Sequence, residues 1–510
     1  MGRMLNLRIL RDVQKLHRGL QKALYFSGES KNIDFYISSL TEYNPFYSTL
    51  DMEEWLKLLS TPQYFDVKQV PLTELRKWRF HKETGDLEHV SGGFFSIRGL
   101  RVKTNMGKVG EWSQPIIHQP EVGILGLLTK KIHGILYFLV QAKAEPGNID
   151  TYQISPTVQA THSNYMRLHG GKPTPYLEYF LGGKSTHVLI DQLQSEQGAR
   201  FYRKRNRNIV VRIADNEDIE ISPQFRWLTL GQIHHLAQKD NTVNMDTRSI
   251  ISEINFAPER VNALTIVDPK KLRDVLGRSL IINKPMSEFG IQLAVSSHPN
   301  SISLHSTEHL LQRITHKKYT CMIETQLIPL NNVKRWKRTD HEIFHEAQKY
   351  FSIMGVRIHA SDREVRTWDQ PIIKQKHSGI VGFIVKEIDG VLHFLTQLKM
   401  ESGVMDLLEM APTVQCITDN YTLGDMPPFT DAFLHRGRST TIFDVYQSEE
   451  GGRFFRESNR NIMLLAPKSF PIEEPDFYMW LSFKQLKEFI KFSNFVNVEA
   501  RSILASIPMT

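Results

Sequence analysis

The apolar positions of this chain follow two spacings. Leu16, Leu20 and Leu24 recur at helical intervals and predict an N-terminal helix before about residue 46. Another helical stretch is expected around Trp55-Leu56, followed by a short strand at Phe65-Asp66-Val67. Further on, the spacing changes to compact runs typical of buried strands. His133-Gly134 separates apolar runs in a hairpin pattern that continues through Ile135-Leu136-Tyr137-Phe138-Leu139-Val140 to Lys143. An amphipathic helix ending in Arg248-Ser249-Ile250 follows the pair Trp227-Leu228. Strand-like runs and helix-like stretches thus alternate along the chain.

Nearly all of this recurs. Trp112-Ser113-Gln114-Pro115-Ile116-Ile117 returns as Trp368-Asp369-Gln370-Pro371-Ile372-Ile373, and Gly123-Ile124-Leu125-Gly126 as Gly379-Ile380-Val381-Gly382. The hairpin returns around Asp389-Gly390 and ends at Lys399. Pro156-Thr157-Val158-Gln159 returns as Pro412-Thr413-Val414-Gln415, and the closing helix ends again in Arg501-Ser502-Ile503. The chain therefore divides into a helical extension (1–46), a first repeat (47–256), a connector with an insertion that has no counterpart (257–304), and a second repeat (305–510). A period of about two hundred residues suits a domain and is too long for a solenoid.

The densest repeat is Gln194-Ser195-Glu196-Gln197-Gly198-Ala199-Arg200-Phe201-Tyr202-Arg203-Lys204-Arg205-Asn206-Arg207-Asn208. Its second copy runs from Gln447 to Asn461 and carries Arg453, Arg456 and Arg460. Strand, short helix, turn and strand are expected here, with Ser195 and Ser448 as helix N-caps. One such stretch fits either a solvated surface helix or an anion site; a second copy favours the anion site, because guanidinium forks match phosphate oxygens.

Composition narrows the picture only slightly. The net charge of +8 admits nucleic acid or a small anionic ligand and does not choose between them. Two cysteines, Cys321 and Cys416, far apart and outside any metal or redox motif, fit a reducing cytoplasm. No apolar run is long enough to span a bilayer, and the opening segment lacks the features of a secretory signal.

Taken together, these motifs resemble the NDP-hexose 2,3-dehydratase family. The likeness rests on Trp112-Ser113-Gln114-Pro115, Gln141-Ala142-Lys143-Ala144-Glu145-Pro146-Gly147-Asn148, Ser155-Pro156-Thr157-Val158-Gln159-Ala160-Thr161, Ser163-Asn164-Tyr165, Pro175-Tyr176-Leu177-Glu178-Tyr179-Phe180 and both Gln-Ser-Glu stretches. It covers about residue 50 to the C-terminus. It implies an α+β fold, a tandem duplication of a Nudix-like mixed-sheet domain, usually paired as a homodimer in the cytoplasm. It also implies removal of water across C2 and C3 of a TDP-4-keto-6-deoxyhexose, coupled to a 3-ketoreductase, with one half doing the chemistry.

That reaction needs a base near C3, an acid near C2 and a donor facing the C4 oxygen; it requires no metal or cofactor. The richest store of such groups gives His162, Tyr165, His169, Tyr176 and Glu178 as catalytic candidates, which places the chemistry in the first half. Candidates for binding are Trp112 and Trp368 for stacking, and Gln114, Gln159, Asn164, Gln370, Gln415 and Asn420 for hydrogen bonding. Lys143 and Lys399 join them, with Arg200, Arg203, Arg207, Arg453, Arg456 and Arg460 for the diphosphate. Competing readings are a nucleotide-sugar or nucleic-acid binding protein without catalysis, and a Nudix-type diphosphate hydrolase. The carboxylate-rich helix motif of such hydrolases is absent from the sequence, and no recognised nucleic-acid motif or membrane anchor appears.

Overall fold

The computed structural model describes the chain except for residues 1, 27–29, 61–64, 162–172, 260, 263, 283–285, 361–364 and 510. Two large mixed sheets carry the cores. In the first half the strand order is His187–Ser195, Arg205–Arg212, Gly123–Ile132, Ile135–Ala144, Phe225–Thr229, with Tyr152–Pro156 and Val158–Ala160 alongside. Arg205–Arg212 runs parallel to Gly123–Ile132, and the other pairings are antiparallel. Ile380–Ile388, Val391–Lys399 and Ser458–Leu465 repeat this arrangement in the second half, again with one parallel pair. The central strands are buried on both faces, which explains their unbroken apolar runs. Gly126 and Gly382 are required where rings press onto the sheet: a Cβ at either would overlap Phe180 or Phe433.

The two smaller sheets exchange strands. Phe65–Val70, expected within the first unit, pairs with Phe351–Ala360 of the second, from Phe65 opposite Ala360 to Val70 opposite Gly355. In return, Ile323–Ile328 pairs with Ser96–Thr104 of the first, from Ile323 opposite Thr104 to Ile328 opposite Gly99.

The connector corrects the sequence reading. Its helix Glu288–Ser297 is tied to the second half as Lys31–Ser39 is tied to the first, so this part of the supposed insertion has a counterpart. Ser38 Oγ donates to the Leu136 carbonyl at 2.6 Å and accepts from Leu230 N at 2.9 Å. Ser296 Oγ makes the same pair of bonds, to the Leu392 carbonyl at 2.6 Å and from Phe483 N at 3.0 Å. The N-terminal helix buries Leu16, Leu20 and Leu24 and packs against Pro269–Leu276, with Asp12 accepting from Ser279 Oγ at 2.8 Å and Leu280 N at 2.7 Å. No helix among the described residues is long and apolar enough to cross a membrane.

The duplicated stretches also depart from expectation: neither forms a helix. Ser195 and Ser448 end strands and lead into turns, so they are not N-caps. The Ser195 hydroxyl donates instead to Glu409 Oε2 at 2.9 Å, and Ser448 pairs with Gln153. A strand that must reverse at once leaves no room for a helical turn. The two turns meet across a reciprocal interface. Gly147 N donates to the Gly451 carbonyl at 2.7 Å and Gly403 N to the Gly198 carbonyl at 2.6 Å, while Phe201 and Phe454 meet edge to face at 5.9 Å. Arg248 Nη2 donates to the Ser448 carbonyl at 2.7 Å and Arg501 Nη2 to the Ser195 carbonyl at 2.5 Å. Such mutual contacts are those of a twofold relation.

Candidate active site

Each hairpin ends in a buried polar cluster with one plan. In the first half, Lys143 Nζ donates to the Gln159 carbonyl at 3.2 Å and lies 3.9 Å from Glu145 Oε1. Gln159 Nε2 donates to Glu145 Oε1 at 2.9 Å, and Asn244 Nδ2 to Gln159 Oε1 at 3.2 Å. In the second half, Lys399 Nζ bonds the Gln415 carbonyl at 3.1 Å, Gln415 Nε2 bonds Glu401 Oε1 at 3.0 Å, and Asn497 Nδ2 bonds Gln415 Oε1 at 2.8 Å. Asn244 and Asn497 also cap the closing helices, whose first turns carry Asp246 and Glu499 at matching places.

The arginine of each cluster comes from the opposite half. Arg453 stacks 4.1 Å from the centre of the Phe95 ring and donates to Gln119 Oε1 at 3.1 Å, among Glu450, Glu145 and Asp246. Arg200 stacks 4.3 Å from the centre of Phe351 and donates to Gln375 Oε1 at 2.8 Å, among Glu457, Glu401, Glu449 and Glu499. Both guanidinium groups keep a buried Nε that makes no hydrogen bond. Each cluster is thus assembled from both halves.

Burial acts alike on the carboxyl groups of the two clusters. Burial, reinforced by Glu450, Glu196 and Glu145, holds the Asp246 carboxyl far above the usual range. Burial likewise pushes Glu450 up to about 7 against the opposing pull of Arg453. Around Glu401, burial raises Glu499 strongly, Glu449 to about 8 and Glu457 to about 7, the last against the pull of Arg200. Carboxyls that stay protonated near neutral pH are proton donors.

The sequence-derived candidates fall into several places. Lys143, Gln159 and Arg453 come together in one cluster, and Lys399, Gln415 and Arg200 in the other. Trp112 Nε1 bonds Gln114 Oε1 at 3.0 Å, and Gln114 Nε2 bonds the Ala199 carbonyl at 3.0 Å, beside Arg200. Trp368 and Gln370 repeat this at 2.9 Å and 2.7 Å on the Gly452 carbonyl, beside Arg453. Asn420 accepts from Tyr350 N at 3.3 Å, and Gln375, the partner of Arg200, donates to the Tyr350 carbonyl at 2.9 Å, so Asn420 lies at the rim of the second cluster.

Other candidates are engaged elsewhere. Arg207 grips Asp191 at 2.7 and 2.6 Å, and Arg460 grips Asp444 at 2.7 Å through both nitrogens, each across its own strand pair. Arg203 and Arg456 are exposed, at positive φ, with their N–H groups bonded to the Gly403 and Gly147 carbonyls. The Tyr176 hydroxyl donates to the Glu220 carbonyl at 2.8 Å and accepts from Ser222 N at 3.0 Å, holding a loop. Glu178 is exposed on the turn Leu177–Tyr179. His162, Asn164, Tyr165 and His169 lie outside the described residues.

Sequence reasoning passed over Glu145, Asp246 and Glu450, with their counterparts Glu401 and Glu499. Two signals were present: Glu145 and Glu401 sit two residues after the repeated lysine, and Asp246 and Glu499 two residues after the repeated asparagine.

Comparison with known proteins agrees with these motifs. The model of the family described as NDP-hexose 2,3-dehydratase matches residues 49–254 and 307–507. A Saccharopolyspora spinosa protein named dTDP-4-dehydro-6-deoxy-alpha-D-glucopyranose 2,3-dehydratase is 39% identical over 94% of this chain and 95% of its own length. Proteins of the same name from Amycolatopsis orientalis and Streptomyces violaceoruber are each 38% identical over 90% of this chain, covering 90% and 97% of their own lengths. The resemblance drawn from the Trp-Ser-Gln-Pro, Ser-Pro-Thr-Val-Gln and Gln-Ser-Glu motifs is borne out, and the chain belongs to the NDP-hexose 2,3-dehydratase family.

Proposed function

We propose that this protein removes water across C2 and C3 of dTDP-4-dehydro-6-deoxyglucose. The observation that carries the reading is identity along nearly the whole chain to three relatives bearing that activity's name. The residues suit the chemistry. The C4 ketone acidifies the C3 proton, so a carboxylate base removes it. Hydroxide leaves C2 poorly, so a protonated group must assist it, and carboxyls raised by burial supply one. Lys143, Gln159 and Arg453 offer cationic and amide donors to the diphosphate or sugar, and Lys399, Gln415 and Arg200 offer the same in the second cluster.

Each half is a Nudix-like unit in this reading, supported by a mixed sheet with one parallel pair and a closing helix. The protein works in the cytoplasm as a homodimer and passes its reactive 3,4-diketone to a 3-ketoreductase. Incubation with the keto sugar tests the proposal. The expected product is lighter by one water and is trapped as a stable 2-deoxy sugar when a 3-ketoreductase is added. Recovery of unchanged substrate refutes it.

A further inference from the structure

The two clusters share a plan but differ where chemistry would take place. Glu145 is 5% exposed; its Oε1 is held by Gln159 beside Lys143, and its Oε2 is buried with no hydrogen-bond partner. A carboxylate fixed through one oxygen and bare at the other is oriented as a base. The space beside it belongs to the second half. At Gly452, a Cβ would lie 3.2 Å from Glu450 Oε1 and 3.6 Å from Glu145 Oε1, so both carboxyl groups lie against this glycine and a methyl there would crowd them. Gly452, Glu450, Lys143 and Gln159 each keep partial exposure to solvent.

In the other cluster the residue matching Gly452 is Ala199, which puts a methyl at that point, and the residue matching Glu450 is Gln197, whose amide is tied to Glu449. An amide cannot donate and regain a proton as a carboxyl does, so at this position of the shared plan only the cluster holding Glu145 offers an acid.

We infer that Glu145 of the first half and Glu450 of the second are the catalytic base and acid of a single pocket, with Gly452 making room for the C2–C3 edge of the sugar. The inference rests on the proposed dehydration. Glu145 Oε2 takes the C3 proton, and the C–H electron pair moves into an enolate at C3–C4. The enolate pair then forms C2=C3 as the C2–O bond breaks, and the departing hydroxyl takes the Glu450 proton to leave as water. Glu145 exchanges the proton it has taken with solvent, and tautomerisation then moves the O3 proton of the enol to Glu450 and the solvent-derived proton of Glu145 to C2, giving the 3,4-diketone and restoring both groups. No oxidant or reductant enters. Burial raises Glu450 to about 7, which suits the acid role.

The test uses the full chain and dTDP-4-dehydro-6-deoxyglucose deuterated at C3. Wild-type protein should lose both water and label. E145Q should lose dehydration by about two to four orders of magnitude and lose C3 exchange with it. E450Q should lose dehydration to a similar degree yet still release the C3 deuterium to solvent, because its base remains. Both should bind dTDP as wild type does. G452A, which copies the methyl of the other cluster, should lower turnover about a hundredfold by displacing the sugar. Wild-type turnover in E145Q or E450Q, or C3 exchange persisting in E145Q, overturns the assignment. If either glutamine variant fails to bind dTDP, G452A decides, and unchanged turnover there overturns it. An intact sugar with wild-type protein overturns the proposed function and this assignment together, whereas wild-type dehydration with indifferent variants overturns the assignment alone.

Discussion

Replacing Gly147 by alanine should damage stability and chemistry together. Gly147 lies at the contact between the turns of the two halves. Its N–H donates to the Gly451 carbonyl and its carbonyl accepts from Arg456 N, both at 2.7 Å. A Cβ would overlap the Phe454 carbonyl oxygen and lie 2.8 Å from the Gly451 carbonyl oxygen, so the two backbones must separate. Two backbone hydrogen bonds are then lost in a buried setting; at about 1 kcal/mol net each, plus part of the cost of orphaned groups, the loss is about 2–4 kcal/mol. Gly403→Ala strikes the mirrored contact, where a Cβ would overlap the Phe201 carbonyl oxygen, and should cost about the same. Urea unfolding followed by tryptophan fluorescence measures both. The two variants should differ in turnover, because Gly147 shares its loop with Glu145 whereas Gly403 follows Glu401. G147A should lose far more dehydration than G403A. Unchanged stability in both variants would refute the interface argument, and equal losses of turnover would refute the division of labour between the clusters.

Three further outcomes are expected. R453A should weaken dTDP binding about tenfold or more at the pocket holding Glu145, the scale of one charged hydrogen bond to phosphate, and titration calorimetry at two salt concentrations should show the loss shrinking with salt. Burial raises Glu253 to about 8 from its ordinary 4.5, so the folded chain holds a proton there that the unfolded chain has released. Stability from this group is therefore greatest below about pH 4.5 and declines as pH rises toward 8; E253Q should flatten that decline in urea midpoints measured across the window. Phe180→Ala leaves the sheet beside Gly126 uncovered and should cost about 3–5 kcal/mol, read as a lowered unfolding midpoint.

The duplication was legible because strands need apolar runs and turns need particular residues, and both recur in order from Trp112 and Trp368 onward. The strand exchange was not legible. Phe65–Val70 and Ile323–Ile328 are repeats of one element, so either can occupy either sheet, and only the path of the chain selects the crossed arrangement. The connector hid the kinship of Glu288–Ser297 to Lys31–Ser39 because little more than Ser38-Ser39 and Ser296-Ser297 is kept, each first serine tying its helix to a hairpin carbonyl. The repeated arginines pointed to the right region for a mixed reason. Arg200 and Arg453 do reach polar clusters, but across the interface, while Arg207 and Arg460 bond to strand carboxylates. Charge and spacing alone do not tell an arginine that joins two halves from one that faces a phosphate. Glu145 was passed over because a lone glutamate after a strand looks solvated until its burial and its bond to Gln159 are seen.

Proton and phosphorus NMR of a single reaction in D2O tests the central claim most directly. With the purified chain and dTDP-4-dehydro-6-deoxyglucose, the account predicts loss of the H3 signal, a deoxygenated C2 that carries solvent deuterium, and an unaltered diphosphate doublet pair. Unchanged sugar signals, or release of dTMP with the sugar ring otherwise intact, would contradict it.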